Sequence, residues 1–271
     1  MARWLATTTG PILVGPWRGE VGFEVLYWLP FLEYLRARFN IPDDRLIPIT
    51  RGGAGAWYRT QTGLELYALR TPQEVRIANR IQHKQTGMLK QMAVSEWDTA
   101  VLHDAADQLK LGRNYHVLHP SWMFQLYQEF WDQNVGLDWL RQRSQFVQIT
   151  APPVPDSLTL PERFLAVKFY SRYTYQDCQL TRDFTRETIR QISQRTPVVL
   201  LSTGIHADDH MDLTRGITGP NVHHLHDLTP MTAETNLSVL SAVLGKSDGF
   251  VGTYGGVSQL ALRMGKGAIS F

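Results

Sequence analysis

Short apolar runs alternate with longer stretches of helical spacing along the first half of the chain. The run around Leu13 predicts a strand over 11–15, and the strongly apolar stretch over 23–39 predicts the helix that follows it. Further predicted elements are a strand over 45–50, a glycine turn over 51–55, a helix over 72–93, and strands over 98–102 and 115–118. Strands that alternate with helices indicate a parallel sheet covered by helices.

A proline-rich segment divides this pattern into two halves. Residues 150–161 can sustain neither a helix nor a central strand, because proline fixes φ and lacks an N–H donor. Beyond it, strands are predicted over 164–169, 198–202, 222–225 and 250–251, and helices over 185–194, 236–244 and 258–264. The sequence therefore predicts an α/β protein: a Rossmann-like domain at 1–150, a linker at 151–161 and a second Rossmann-like domain at 162–271, the two facing each other across a cleft.

Composition and charge exclude several classes of protein. The chain has 271 residues and a net charge of +2, which is too small to indicate nucleic-acid binding. Cys178 is the single cysteine, so an intrachain disulfide is impossible. No apolar run approaches the length that spans a bilayer. We expect a cytoplasmic protein, and peripheral association with the inner face of a membrane stays open.

Loops that follow strands are the expected place for chemistry, since ligands of open parallel sheets bind at the carboxyl ends of the strands. Glu20 and Glu24 lie after the first predicted strand, in a loop with Gly15, Gly19 and Gly22. Either acid is a candidate general base for a hydroxyl nucleophile. The alternative is that they cap the following helix and complement its dipole. Residue types alone leave both interpretations open.

In the second half, the turn at Gly255 and Gly256 precedes a predicted helix, whose free N–H groups favour an anion such as a phosphate. Lys168 and Arg172, at the end of the strand over 164–169, are candidate cations for a diphosphate. Each has a simpler alternative: tight packing for the glycine turn, snorkelling for Lys168 and a solvated charge for Arg172.

Metal binding finds little support in the sequence. A solvated acidic loop explains the ligand-like residues His206, Asp208, Asp209, His210 and Asp212 better than a metal site does, because no metal-ligand spacing accompanies them. His223, His224 and His226 fall on alternating faces of a predicted strand. We therefore expect no metal and no cofactor.

Aromatic residues of the first half are core candidates, but some follow strands and could stack on a sugar ring. Together with polar residues of the same loops they form a set of candidate ligand-binding residues: Trp17, Arg18, Arg51, Trp57, His119 and Trp122.

Two segments resemble a known class of enzyme. The segment that runs from Gly15 through Trp17, Glu20 and Glu24 to Trp28, and the segment Phe250-Val-Gly-Thr-Tyr-Gly-Gly-Val-Ser-Gln-Leu-Ala, are similar to parts of GT-B glycosyltransferases of bacterial surface-polysaccharide assembly. Heptosyltransferases and fucosyltransferase-like enzymes belong to this class. The resemblance covers both ends of the chain, and the middle is compatible in pattern only.

The resemblance implies metal-independent transfer of a sugar from a nucleotide-sugar to a hydroxyl of a glycan or other acceptor. Glu20, with Glu24 as its neighbour, would be the base. The donor diphosphate would meet a set of residues in the second half: Lys168, Arg172, Thr253, Tyr254, Gly255, Gly256 and Ser258. The first half would hold the acceptor, through the candidate residues of its loops: Trp17, Arg18, Arg51, Trp57, His119 and Trp122.

Two other functions stay open. Such folds end in helices that cross back to the first half, whereas this chain stops at Phe271, so we expect either a truncated chain or a minimal version. A nucleotide-sugar or glycan binding protein without turnover would fit an incomplete fold. A sugar-nucleotide epimerase of the same fold would need paired acids around its sugar.

Overall fold

The computed structural model describes Leu5 and residues 7–60, 62–87, 91–171, 175–205 and 211–271. The chain divides into two compact units, Met1–Val147 and Gln148–Phe271. Each unit contains its own parallel sheet, so the predicted α/β class is confirmed. Within the described ranges, every helix is too short or too polar to cross a lipid bilayer.

Unit 1 is built on a four-stranded parallel sheet in the order β3-β2-β1-β4. Its strands are β1 (Ile12–Val14), β2 (Leu46–Thr50), β3 (Leu64–Glu65) and β4 (His116–Leu118). Its α-helices are α1 (Val21–Phe23), α2 (Leu29–Phe39), α3 (Leu66–Leu69), α4 (Pro72–Thr86), α5 (Glu96–Gln108), α6 (Ser121–Trp131) and α7 (Leu137–Arg141). A π-helical segment, Glu24–Trp28, joins α1 to α2, so the predicted helix over 23–39 is present but irregular at its start.

The two central strands of unit 1 are buried on both faces, as expected of a parallel sheet covered by helices. On one face, Leu13 and Ile49 pack against α4 and α5 through Val75, Val101 and Ala105. The residues that carry this core recur at helical spacing in α4 and α5, because a helix buries one stripe of its surface.

Residues 98–102 were predicted as a strand, and this prediction is wrong. They lie in α5, which begins with a capping box: Ser95 Oγ accepts from Asp98 N at 3.2 Å, and Ser95 N donates to Asp98 Oδ2 at 2.9 Å. The apolar run that resembled a strand belongs to the buried stripe of this helix. Helix α4 starts at the predicted residue and stops at Thr86, because Gly87 (φ 68°) takes the left-handed conformation that ends helices.

Unit 2 contains a five-stranded parallel sheet in the order β7-β6-β5-β8-β9. Its strands are β5 (Leu165–Lys168), β6 (Val198–Leu200), β7 (Val222–His224), β8 (Gly249–Gly252) and β9 (Ala268–Ser270). Its helices are α8 (Gln179–Ser193), α9 (Leu225–Leu228), α10 (Asn236–Lys246) and α11 (Gly256–Arg263). All strands and helices predicted here are present with shifted ends. Residues 150–161 contain no helix or strand, and nearby Ile149 N bonds Arg263 O at 2.8 Å within this unit.

Candidate functional site

The chain reverses its winding direction at β5 in unit 2. From β5 it moves outward through β6 to β7, and it then returns to the other side of β5 as β8 and β9. Helices that follow β5 and β8 therefore cover opposite faces, and a ligand crevice is expected between the carboxyl ends of these two strands. The residues that follow these strands are those where a ligand of unit 2 is expected.

Thr253 fastens the two loops of this crevice to each other. Its backbone N donates to Lys168 O at 3.0 Å, its Oγ1 accepts from Tyr170 N at 3.1 Å, and the hydroxyl donates to Tyr170 O at 3.2 Å. The side chain is completely buried. Thr253 was predicted to meet the donor diphosphate, but its hydroxyl is bonded to the backbone of Tyr170 within the protein.

The turn at Gly255 and Gly256 opens α11, two residues before the predicted start of that helix. Ser258 Oγ donates to Gly255 O at 2.9 Å and accepts from Gly255 N at 3.0 Å, so this buried hydroxyl caps the helix and does not face a ligand. The N–H groups of Gly256 and Val257 in the first turn have no acceptor earlier in the helix. Together with the helix dipole, these N–H groups make the start of α11 a backbone element that favours an anion.

The remaining donor-site candidates lie around this turn. Lys168 is the last residue of β5, in register with Gly252 at the end of β8. The side chain of Tyr254 is exposed, and its backbone N donates to Phe271 O at 2.9 Å. Arg172 falls outside the described residues.

The residues considered for a metal are only partly described. His206, Asp208, Asp209 and His210 fall outside the described ranges, and Asp212 Oδ1 accepts from Thr214 N at 2.8 Å. In β7 and α9, His224 Nε2 lies 2.8 Å from Ile217 O and His226 Nδ1 lies 3.3 Å from Ser202 O. Among the residues that the structure covers, no group of three or more His, Cys, Asp or Glu side chains could hold a metal ion.

In unit 1, Glu20 is exposed just beyond the carboxyl end of β1. It stands at the N-cap of α1 in an extended conformation (φ −69°, ψ 148°), but its side chain makes no capping hydrogen bond. The capping alternative is therefore not observed in this structure. An exposed carboxylate at the edge of a parallel sheet where ligands are expected fits the location of a candidate general base.

Glu24, in contrast to Glu20, is completely buried. Its Oε2 accepts from Arg51 Nη1 at 2.9 Å, and its Oε1 accepts from Tyr58 Oη at 2.8 Å. Burial raises the pKa of Glu24, while Arg51 and Tyr58 act in the opposite direction. Burial would lower the pKa of Arg51, but the Glu24 carboxylate keeps it above its ordinary value. A carboxylate enclosed in this way cannot reach a substrate hydroxyl, which corrects the assignment of Glu24 as a base.

Arg18 belongs to a second buried network. Its Nε donates to Asp98 Oδ1 at 3.0 Å, its Nη1 donates to Asn79 Oδ1 at 2.5 Å, and its Nη2 donates to Asp98 Oδ2 at 3.1 Å and to Gln82. Burial would raise the pKa of Asp98, but His119 and Arg18 beside it hold this pKa well below its usual range. Arg18 therefore ties the loop after β1 to α4 and α5, and its donors are not presented to an acceptor sugar.

Burial also corrects most of the aromatic acceptor candidates. Trp17 is completely buried between Trp28 and Phe124, with ring centroids 5.8 and 5.9 Å away, so neither face is open to a sugar. Trp57 and His119 are buried as well, and Trp122 is half-buried. The structure thus leaves Trp122 as the one aromatic acceptor candidate, among those predicted, with an accessible side chain.

Several residues that hold the candidate loops of unit 1 in place were not predicted from the sequence. Tyr58 and Glu65 hold the loop after β2: Glu65 Oε1 accepts from Gly52 N and Oε2 from Gly53 N, both at 2.8 Å. Asp98 was hidden by the incorrect strand assignment, although the Ser-x-x-Asp spacing of a capping box was present.

Solved structures similar to this fold include several bacterial glycosyltransferases. E. coli heptosyltransferase WaaC, solved with ADP-2-deoxy-2-fluoro heptose, is 14% identical, with 96% of this chain and 88% of that chain covered and a TM-score of 0.46. A family 9 glycosyl transferase from Veillonella parvula is 11% identical, with 96% of this chain and 80% of that chain covered and a TM-score of 0.47. The iron-containing heptosyltransferase TibC from enterotoxigenic E. coli, in complex with ADP-D-beta-D-heptose, is 10% identical, with 97% and 58% covered and a TM-score of 0.48.

No protein-family model matches the chain, and no curated protein matches it in sequence. Identities as low as those of the similar structures describe a likeness of fold and do not assign an activity.

Proposed function

We propose that the protein is a glycosyltransferase that moves a sugar from a nucleotide-sugar to a hydroxyl acceptor. The observation that carries this proposal is the reversal of strand order between β5 and β8, where the glycine turn and the first turn of α11 supply backbone N–H groups. A nucleoside diphosphate is the chemical class that such an arrangement suits, because its diphosphate carries the charge that the helix N-terminus favours.

The reaction needs a base and a stabilised leaving group. In the proposed mechanism, Glu20 takes the proton of the acceptor hydroxyl as that oxygen bonds to the anomeric carbon. The bond from the anomeric carbon to the diphosphate breaks, and the nucleoside diphosphate leaves with the bonding electrons. Lys168 and the N–H groups of Gly256 and Val257 stabilise the negative charge that develops on the diphosphate. Tyr254 and, outside the described residues, Arg172 complete the proposed donor site.

The finer features of the proposal follow the sequence resemblance. We propose an acceptor glycan of the cell surface, a reaction in the cytoplasm and transfer without a metal or cofactor. Trp122 remains the proposed contact for an acceptor sugar ring, since its side chain is accessible.

The test is to incubate the purified protein with a panel of nucleotide-sugars, with and without a chelator, and to follow release of free nucleotide. Release that depends on an added hydroxyl acceptor and persists with the chelator supports metal-independent transfer. Binding without release for every donor and acceptor would instead indicate a binding protein. Conversion of the sugar on an intact nucleotide would indicate an epimerase, and loss of release with the chelator would contradict metal independence.

A further inference from the structure

The loop between β1 and Glu20 is held from one side by Gln91 and Arg18. Gln91 Nε2 donates to Pro16 O at 2.9 Å, and Gln91 Oε1 accepts from Arg18 N at 3.2 Å. The guanidinium of Arg18 is in turn fixed on Asp98 of α5. Residues 16–18 are all buried, so this side of the loop has little freedom before the chain emerges at Gly19 and Glu20.

Arg51 holds the loop from the other side and closes a hydrogen-bonded ring around Glu20. Its Nη2 donates to the carbonyl of Gly19, and its Nη1 donates to Glu24 Oε2 at 2.9 Å. Glu24 N donates to Glu20 O at 3.1 Å. The carbonyl before the Glu20 Cα is therefore bonded to Arg51 itself, and the carbonyl after it is bonded to the backbone of Glu24, whose side chain Arg51 holds.

Neighbouring groups keep Arg51 and Glu24 in place. Tyr58 Oη donates to the second oxygen of Glu24, and the Glu65 carboxylate accepts from the N–H groups of the glycines that follow Arg51. Arg51, Glu24 and Tyr58 are buried, and charge-assisted bonds shielded from water are stronger and better defined than exposed ones. The planar fork of arginine presents its donors to two acceptors in a fixed geometry, whereas the three donors of lysine sit on a single rotatable ammonium group.

We infer that Arg51, with Glu24 and Tyr58, is a positioning device that fixes the carboxylate of Glu20 for proton transfer. The inference rests on the proposed function, which assigns Glu20 as the base. The three buried side chains touch no substrate and act through the backbone around Glu20. Proton transfer requires the base to stay within hydrogen-bond reach of the hydroxyl, and a displacement of 1 Å can cost about a hundredfold in rate.

The chain offers a matched control at the opposite end of the same strand. Arg45 precedes β2, whereas Arg51 follows it. The Arg45 fork holds two backbone carbonyls, with Nε donating to Gly10 O at 2.8 Å and Nη1 donating to Leu5 O at 2.9 Å. Arg45→Lys and Arg51→Lys therefore both remove a guanidinium-to-carbonyl bond from the same unit, at the amino and carboxyl ends of the sheet, and Arg51→Lys in addition alters the pair with Glu24.

The experiment measures hydrogen–deuterium exchange of the full chain for the wild type and both variants, alongside kcat and the KM for the donor. In Arg51→Lys we expect exchange in peptides covering residues 15–24 to rise about tenfold, as loss of one charge-assisted bond would produce, with the rest of unit 1 unchanged. We expect kcat to fall about tenfold to a hundredfold while the donor KM stays constant. Arg45→Lys should change neither the exchange of residues 15–24 nor kcat.

Unchanged exchange of residues 15–24 in Arg51→Lys would overturn the inference, as would a wild-type kcat. Should Arg51→Lys fail to fold, Tyr58→Phe removes a single hydroxyl, and the same local rise in exchange, smaller in size, is expected; its absence would also overturn the inference. A chain that transfers no sugar but shows the local rise would refute the proposed function and leave the ring around Glu20 intact.

Discussion

The backbone of Gly252 passes so close to the carbonyl oxygen of Lys168 that a Cβ at position 252 would lie well inside van der Waals contact. The two residues are in register at the carboxyl ends of β8 and β5, where the donor crevice is proposed. Glycine at 252 is thus required by the approach of two neighbouring strands.

Gly252→Ala is expected to destabilise unit 2, because backbone on both strands would have to move apart. Overpacking of this kind costs about 1–3 kcal/mol in the free energy of unfolding, measured by urea denaturation. Gly267→Ala is the control, since a Cβ there would meet nothing within 4 Å; its effect should stay below about 1 kcal/mol. Equal stabilities for the two variants would contradict this account of Gly252.

Glu20→Gln is expected to abolish most transfer, because the amide cannot take the proton of the acceptor hydroxyl. Loss of a general base lowers kcat by about 10²–10⁴-fold. Donor affinity, measured by calorimetry, should not change. Glu96→Gln, which alters an exposed acid at the start of α5, serves as the control and should retain full activity. An active Glu20→Gln protein would place the base elsewhere.

Lys168→Met is expected to weaken binding of a nucleoside diphosphate about tenfold, since one cation near the diphosphate would be lost. Lys266→Met is the matched control in the same unit. Lys266 is also half-buried, but it precedes β9 and its Nζ donates to Ser247 O at 2.9 Å. Calorimetric titration with the nucleoside diphosphate measures the affinity of each variant. Equal affinities for both variants would remove Lys168 from the donor site.

Asp98→Asn is expected to destabilise unit 1 by about 3–5 kcal/mol at neutral pH, because Arg18 would remain buried without its counter-charge. The depressed pKa of Asp98 means that its ionised form stabilises the fold above its ordinary pKa, near 3.8. That contribution is lost as the pH falls below about 4. The difference between wild type and variant in urea denaturation should therefore shrink at low pH.

Asp104→Asn is the control for this experiment. Asp104 pairs with Arg70 on the surface, and exposed pairs contribute about 1 kcal/mol or less. A variant at Asp98 that behaves like the one at Asp104 would show that the buried network is not important for stability.

Much of the fold could be predicted from local pattern. Leu13 and its apolar neighbours marked β1, and the Thr71–Glu74 spacing with Pro72 marked the start of α4. The wrong prediction of a strand over residues 98–102 has a clear cause. A short apolar run satisfies both a buried strand and one stripe of a helix, and the capping box at Ser95 together with packing against β1 and β2 distinguishes them.

The candidate site was less predictable, because loop residues are exposed or buried according to what packs over them. Glu20 and Glu24 are four residues apart and both were candidates for the base, yet one is exposed and the other is enclosed by Arg51 and Tyr58. Arg18 and Asp98 meet across 80 positions of the chain, which no local pattern indicates.

The sequence by itself determined the alternation of strands and helices, the division into two halves and the loops that follow the strands. The reason is that the local spacing of apolar residues indicates which element forms and which of its faces is buried. Tertiary structure decided the roles within those loops. It placed Trp17, Arg18 and Glu24 inside and Glu20 outside, since the enclosing side chains come from helices and strands distant in sequence. Burial sets both what a charged group can reach and which protonation state it keeps.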